Sequence, residues 1–236
     1  MYKITSLIVD LVLGIWQRVP GPVIHNLDKA RMLKKIMWHL NVDGVDGDYF
    51  EFGVAHGHSM RSAQQAVKRS HSNKLGVKQI QRQLFGFDTF DKFIGGGEID
   101  AHPTWDGDAF NVPYHKVKAR FKTDSSIHLI QIDVNLLSAS EEKYHYADFG
   151  ILNKAAVILF DMDLFGPTLS ALTWMGGSIQ QGTFLMFDEF FSFRGNSRKG
   201  EARALQQFLD LNPNIKVRDF GNYGAGGKVY VVDLVD

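Results

Sequence analysis

Four short strand-like segments of this sequence are each followed directly by an aspartate, and this pattern limits the fold more than any other feature. The segments cover residues 84–87, 127–132, 155–160 and 183–187, and one of them, AAVILF, is an uninterrupted apolar run. Such a run is typical of a parallel strand that is covered on both faces. Because helical segments alternate with the strands, the sequence predicts a doubly wound α/β sheet, which binds ligands at the carboxyl ends of its strands. The aspartates at those ends are Asp88, Asp133, Asp161 and Asp188.

The remaining segments complete the predicted fold. Residues 48–54 predict a further strand, followed by a glycine turn and by a helix over residues 59–69 that Ser59 is placed to cap. Residues 215–220 and 228–234 are rich in β-formers and are separated by NYGAGG, a turn signal that predicts an antiparallel hairpin. We therefore expect a mostly parallel seven-stranded sheet with an antiparallel C-terminal hairpin. Further helices are predicted over residues 25–40, 169–175 and 199–211.

The length of 236 residues suits one α/β domain with appendages. We expect a helical lid or oligomerisation segment over residues 1–46 and a ligand-binding domain over residues 47–236. Residues 7–16, LIVDLVLGIW, are too few to span a bilayer and lack a basic start and a cleavage site, so a cytoplasmic protein without a transmembrane segment is expected. This helix is apolar on most sides and should pack against the body, a second subunit in a homo-oligomer, or a lipid surface.

Charge and cysteine content exclude several classes of function. Lys plus Arg and Asp plus Glu both number 26, so no net charge attracts a polyanion, and we expect no nucleic-acid partner. The absence of cysteine excludes disulfides, thiolate nucleophiles and zinc ribbons. Any bound metal is therefore left to oxygen or imidazole ligands.

The turn over residues 51–59, EFGVAHGHS, is the candidate cofactor site. Gly53 and Gly57 lie four residues apart between a strand and a helix, where small residues let a ligand approach the backbone. The spacing is not that of a dinucleotide turn, and Glu51 in front of it disfavours a phosphate. A carboxylate there suits a ligand that carries an ammonium or a sulfonium, as S-adenosylmethionine does. A turn that binds no ligand is the alternative.

Four acids at the ends of two strands form the candidate metal site. Asp161 and Asp163 are two residues apart, so they share a face if the strand continues, and Asp188 and Glu189 leave the next strand beside them. Converging carboxylates repel one another unless a cation neutralises them, and hard oxygen ligands favour Mg²⁺, Ca²⁺ or Mn²⁺. The alternative is a solvated loop with a helix cap. Residues 93–110, rich in glycine and acids, predict a long loop or lid.

With these residues in view, the chain resembles the macrocin- and mycinamicin-type sugar O-methyltransferases, a metal-dependent branch of the class I methyltransferases with a Rossmann-like fold. The resemblance runs from about Gly47 to Leu209. It rests on GDYFEFGVAHGHS, LFGFDTFDKF, LFDMDLFGPTLSAL, GGSIQQGTFLMFDEFF and GEARALQQFL.

The resemblance implies an S-adenosylmethionine site with Asp88 on the ribose and Asp133 near the adenine. It also implies Mg²⁺ held by Asp163, Asp188 and Glu189. The chain departs from the family at Glu189, where a second aspartate is usual, at Phe165, where tyrosine is common, and at His58, where a small residue is usual. The cofactor-site residues implied in total are Glu51, Gly53, Val54, His56, Gly57, Ser59, Asp88, Thr89 and Asp133.

The chemistry expected is transfer of a methyl group to a hydroxyl of a sugar or similar diol, in a small molecule or a glycan. A bound cation would favour the alkoxide, and Asp163, or less favourably Asp161, would receive the proton. Two alternatives stay open. The segment FDMDLFGP also resembles the nucleophile loop of aspartyl-phosphate phosphohydrolases, although Phe165 stands where that loop has threonine or valine. The other alternative is a non-catalytic cofactor-binding protein.

Overall fold

The computed structural model describes residues 2–91, 100–102, 112–138 and 145–235. Within these ranges seven strands form a single sheet in the order β3-β2-β1-β4-β5-β7-β6. Strands β1 to β5 are parallel, whereas β7 runs antiparallel to both β5 and β6. The predicted fold, a doubly wound and mostly parallel sheet with an antiparallel C-terminal hairpin, is confirmed. The strands are β1 Asp48–Phe52, β2 Leu84–Asp88, β3 Ile127–Gln131, β4 Ala155–Phe160, β5 Phe184–Phe187, β6 Ile215–Tyr223 and β7 Gly227–Val235.

The helices lie before the sheet and between its strands. The long N-terminal pair, α1 and α2, precedes β1, and the longer of the two ends at Gly44, whose φ of +67° suits a glycine. The helices are α1 Tyr2–Trp16, α2 Gly21–Asp43, α3 His58–Arg69, α4 Tyr114–Arg120, α5 Asn135–Ser138, α6 Phe165–Met175, α7 Ser192–Gly195 and α8 Gly200–Leu211. No helix in these parts of the chain combines the length and the apolar character that crossing a membrane requires.

Helices cover the central strands on both faces of the sheet, and successive side chains of a strand point to opposite faces. On one side the apolar face of α2, represented by Leu33 and Ile36, packs with α3 against Tyr49. On the other side α6 and α8 cover Phe50 and its neighbours. The uninterrupted run of β4 is buried along its whole length, as its composition predicts.

A row of four phenylalanine rings underlies the carboxyl edge of the sheet. Phe87, Phe52, Phe160 and Phe187 occupy matching positions on β2, β1, β4 and β5, and neighbouring rings stack at 4.9, 5.9 and 4.9 Å between centroids. Because the four strands are in register at this row, the residue that follows each phenylalanine lies at the same edge. Those residues are Asp88, Gly53, Asp161 and Asp188.

Helix α1 does not bury its apolar side chains against the rest of the chain. Leu7, Leu11 and Trp16 are exposed, as are the other large apolar side chains described on this helix. Packing against the body, one of the three expectations for this segment, is therefore wrong for the single chain. Packing against a second subunit or a lipid surface stays a prediction.

Candidate active site

A cavity of about 680 Å³ lies at the carboxyl edge of the sheet, above the phenylalanine row. Its volume falls within the ~300–1,000 Å³ usual for small-molecule sites. Two predicted residues, Glu51 and Gly57, are not part of its wall, and most of the predicted lid lies outside the described residues. The predicted site residues that line the cavity are Gly53, Val54, His56, Ser59, Asp88, Thr89, Asp133, Asp161, Asp163, Asp188 and Glu189.

The turn after β1 has a backbone that requires glycine. Gly53 has a φ of +91°, and a Cβ atom on it would lie 1.9 Å from the carbonyl oxygen of Asp161. Ala55, two residues later, also has a positive φ of +44°, and its backbone N–H donates to Asp88 Oδ2 at 2.8 Å. The turn is thus held against the ends of β4 and β2.

Glu51 lies behind this turn rather than in the cavity. Its side chain is fully buried, and its two oxygens accept hydrogen bonds of 2.6 Å from the hydroxyls of Tyr49 and Ser59. Burial raises the pKa of Glu51 to about 8, against the opposing effect of these two donors. Ser59 therefore does not cap α3, as its position in the sequence suggested. The helix begins at His58 and is preceded by Gly57 with a φ of +73°.

The acids at the ends of β2 and β3 are both tied to nearby backbone. Asp88 Oδ1 accepts from Phe90 N–H at 2.8 Å, and Asp133 Oδ1 accepts from the backbone N–H of Asn135 at 3.0 Å. Both residues line the cavity, and their contacts with a ribose and an adenine stay predictions.

The ends of β4 and β5 bring two carboxylates together around a lysine. Asp161 and Asp188 follow the paired residues Phe160 and Phe187. The ammonium of Lys29, from α2, donates to Asp161 Oδ2 at 2.8 Å and to Asp188 Oδ2 at 2.7 Å. Burial alone would lower the pKa of Lys29, but the two carboxylates outweigh it and raise that pKa above its ordinary value.

Asp188 has two further partners. His25 Nε2 lies 3.0 Å from its Oδ1 and 3.1 Å from its Oδ2, and the hydroxyl of Tyr223 donates to Oδ1 at 2.9 Å. Although burial opposes ionisation, Lys29 and His25 hold the pKa of Asp188 below its ordinary value. Hydrogen bonding to Asp188, despite burial, raises the pKa of His25. This carboxylate is therefore an anion bound by protein groups from both ends of the chain.

Asp163 differs from its neighbours because no hydrogen bond from the described residues reaches its carboxylate. It has a left-handed backbone, with a φ of +64°, and it lines the cavity. Burial, and then the charges of Asp161, Glu189 and Asp188, raise the pKa of Asp163 well above its ordinary value. A carboxylate in such a position is suited to accept a proton from a bound ligand.

Glu189 is linked to another buried acid that the sequence did not single out. Its Oε2 accepts from the Ser192 hydroxyl at 2.6 Å, and its backbone N–H donates to Glu201 Oε2 at 2.9 Å. Glu201 is fully buried, and its other oxygen, Oε1, has no hydrogen-bond partner in the described parts of the chain. Burial, followed by the charges of Asp163, Asp188 and Asp161, raises the pKa of Glu201 well above its ordinary value.

These acids do not form the magnesium site that the sequence predicted. Three protein donors, from Lys29, His25 and Tyr223, already bind the two oxygens of Asp188. Among the described residues, no group of three or more potential ligands is placed to hold a metal ion. The arrangement of Asp163, Asp188 and Glu189 therefore does not fit Mg²⁺.

Lys29 and His25 are two basic site residues that sequence reasoning missed. A signal was present, because the apolar stripe of α2 includes Leu33 and Ile36, and residues 29 and 25 continue it at helical spacing. A lysine on the buried face of a helix needs an anionic partner. The predicted acids at the strand ends were the candidates for that partner.

The sheet order and the position of the cavity define a Rossmann-like class I methyltransferase fold. No family model matches the sequence, and no curated protein matches it. Among solved structures, the chain is similar to CalS11, a calicheamicin methyltransferase, with a TM-score of 0.59 and 22% identity over 85% of this chain and 78% of CalS11. It is also similar to the O-methyltransferase NovP, with a TM-score of 0.62 and 16% identity over 88% of this chain and 80% of NovP. The predicted fold class is confirmed, and the macrocin-type family stays a prediction.

Proposed function

We propose that this protein is an S-adenosylmethionine-dependent O-methyltransferase that acts on a hydroxyl of a small molecule or glycan. One observation carries the proposal: Asp163, a carboxylate without a partner among the described residues, lines the same cavity as the glycine turn after β1. A glycine turn and a carboxylate that could accept a proton thus lie at one sheet edge. This edge is where open α/β sheets bind their ligands.

The residues around the turn fit the cofactor. Gly53 and Ala55 expose backbone to the cavity, and Asp88 and Asp133 supply carboxylates at the neighbouring strand ends, where ribose hydroxyls and an amino group can be bound. Val54, His56, Ser59 and Thr89 complete the predicted wall. When bound, S-adenosylmethionine supplies a methyl group on a positively charged sulfur. Glu51 acts from behind, by holding Ser59 at the start of α3.

Asp163 is the general base of this proposal. A hydroxyl is a weak nucleophile at neutral pH, and removal of its proton as the new bond to carbon forms makes it effective. Burial and the neighbouring acids raise the pKa of Asp163, so its carboxylate holds a proton more strongly than a solvated aspartate does. Asp161 is less suited, since its carboxylate is already bound to Lys29. No step is assigned to Mg²⁺, because Asp188, one of the three residues that were expected to hold it, is bound by Lys29, His25 and Tyr223.

The class of acceptor is a finer proposal. CalS11 is described as a TDP-rhamnose 3'-O-methyltransferase, and the similarity to it supports a sugar hydroxyl as the acceptor.

The N-terminal segment is proposed as the cover of this acceptor site, because Pro22, His25 and Lys29 of α2 form part of the cavity wall. The exposed apolar side chains of α1 support a role of the same segment in a homo-oligomer.

Calorimetric titration with S-adenosylhomocysteine tests the cofactor. We expect one site per chain, and a folded protein that shows no binding would overturn the proposal. The acceptor is tested by incubating the protein and S-adenosylmethionine with a panel of nucleotide sugars and glycosides and measuring S-adenosylhomocysteine release. Release of phosphate from p-nitrophenyl phosphate, in place of methyl transfer, would support the phosphohydrolase alternative.

A further inference from the structure

Lys29 occupies the centre of the acidic cluster. Its side chain is only 5% exposed and reaches from α2 to the ends of β4 and β5. Two of its three N–H donors are bound by Asp161 and Asp188, at 2.8 and 2.7 Å. Distances of this kind are those of charge-assisted hydrogen bonds between an ammonium and carboxylates.

The cluster needs a cation. The cluster contains five acids: Asp161, Asp163, Asp188, Glu189 and Glu201. Among the described residues, the basic side chains that form ion pairs with them are Lys29 and His25. Buried like charges raise one another's free energy unless an opposite charge lies among them. In many proteins a divalent metal meets this need, because carboxylate oxygens are its preferred ligands.

Protein donors already bind both oxygens of Asp188. Oδ1 accepts from Tyr223 and Oδ2 from Lys29, and the single Nε2–H of His25 lies within hydrogen-bond distance of both. A metal ligated by Asp188 would have to displace Lys29, whose ammonium cannot leave the cluster without losing both of its ion pairs. Lys29 is moreover anchored by the docking of α2, through Met32, Leu33 and Ile36 of the core.

We propose that the Lys29 ammonium is the permanent cation of this acidic cluster, in the position that a divalent metal would otherwise take, and that the protein functions without a bound metal. The exclusion of the metal stands on the geometry alone. The consequence that methyl transfer persists in a chelator rests on the proposed function. Lys29 is a positioning residue in this proposal, since it acts by holding Asp161 and Asp188.

The test is a titration of chelator-treated protein with Mn²⁺, in which free Mn²⁺ is measured by electron paramagnetic resonance. For the wild type we expect no binding tighter than ~1 mM, the weak end of protein sites for hard cations. Lys29→Met removes the ammonium and leaves the carboxylates, so it should bind one Mn²⁺ at least tenfold more tightly. Lys29→Arg keeps the charge and should behave as wild type. Lys34→Met, an exposed lysine on the same helix, is the matched control.

Two results would overturn the proposal. One is stoichiometric Mn²⁺ binding by the wild type that Asp188→Asn abolishes. The other is a folded Lys29→Met protein whose Mn²⁺ affinity equals that of the wild type. If Lys29→Met does not fold, the wild-type titration decides alone. S-adenosylhomocysteine binding is measured separately, so a failure of the cofactor proposal is distinguished from a failure of the Lys29 proposal.

Discussion

The carboxylate of Asp88 and the backbone N–H of Ala55 form a 2.8 Å hydrogen bond that joins the end of β2 to the turn after β1. The other carboxylate oxygen accepts from Phe90 N–H, also at 2.8 Å. Ala55 has a φ of +44°, a conformation that non-glycine residues adopt only when the surroundings hold it. Asp88 therefore stabilises the turn after β1 and also lines the cavity.

Replacing Asp88 by alanine should loosen this turn. Two backbone donors would lose their acceptor, so we expect the free energy of unfolding to fall by about 1–3 kcal/mol and S-adenosylhomocysteine to bind more weakly. Urea denaturation and calorimetry measure the two effects. Asp91→Ala, an exposed acid three residues later, is the control and should leave both unchanged. Full cofactor affinity in Asp88→Ala would contradict the role of Asp88.

Gly53→Ala tests the close approach of the turn to β4. Its Cβ would lie 1.9 Å from the Asp161 carbonyl oxygen, and the φ of +91° adds strain. The expected loss is about 3 kcal/mol or more in the free energy of unfolding. Gly76→Ala is matched to it, because Gly76 also has a positive φ, +69°, but has open space around it. Equal losses for the two variants in chemical denaturation would show that the steric contact is unimportant.

Glu51 should make stability depend on pH. Its pKa rises from 4.5 to about 8 on folding, so the folded state keeps a proton that the unfolded state loses. The stabilising contribution is full below pH 4.5 and is lost as the pH rises towards 8. Glu51→Gln cannot titrate, so its stability relative to wild type should increase between pH 5 and pH 8. The measurement is urea denaturation at several pH values, with the exposed Asp10→Asn as control. A difference that does not vary with pH would refute the shift.

Asp163→Asn separates chemistry from binding. Asparagine has nearly the same shape but accepts no proton, so kcat should fall by about 10²–10⁴ while the affinity for S-adenosylhomocysteine is kept. S-adenosylhomocysteine release, measured with an acceptor found in the panel, gives the rate. Asp210→Asn, an exposed acid on α8, should retain the full rate. Normal turnover by Asp163→Asn would exclude this residue as the base.

Asp100 links two helices to the segment between β2 and α4. Its oxygens accept from the N–H of Phe165 at 2.6 Å and of Gly200 at 3.1 Å, the first residues of α6 and α8. Asp100→Ala would leave both donors unpaired and remove a negative charge from two helix N-termini. The expected loss is about 1–3 kcal/mol in the free energy of unfolding. Asp100→Asn keeps an acceptor oxygen and should lose less in the same denaturation experiment, and an equal loss would argue against these bonds.

The sheet and its acidic edge are accessible to sequence reasoning because they depend on local patterns. The predicted strand over Ala155–Phe160 matches β4 at both ends. An uncharged apolar strand of this kind is favourable only where both of its faces are buried in the sheet. The register of the strands then brings Asp161 and Asp188 together. Helix ends were less accurate, and α2 extends over Gly21–Asp43 where residues 25–40 were predicted.

The partners of the acids could not be predicted in the same way, because they are distant in sequence. The buried stripe of α2 indicates a buried lysine at position 29, but no local pattern shows which acids it contacts, because Asp161 is 132 residues away and Asp188 is 159. Glu51, in contrast, has a hydrogen-bond partner close to it in the sequence. Tyr49 is two residues away on the same strand and therefore shares its face, so a local partner could have been anticipated. The metal prediction counted the acids and did not consider Lys29, the cation that α2 supplies.

Asp188 is hydrogen-bonded to His25 of α2, 163 residues earlier in the chain, and to Tyr223 of β6, 35 residues later. During synthesis on the ribosome, the first helices and the parallel strands emerge before Tyr223 does. The acidic cluster is therefore completed only when the chain has been translated past β6. A nascent chain arrested before that point would carry the glycine turn after β1 but an incomplete acidic cluster, so under the proposed function cofactor binding and competence for transfer should be acquired at different chain lengths.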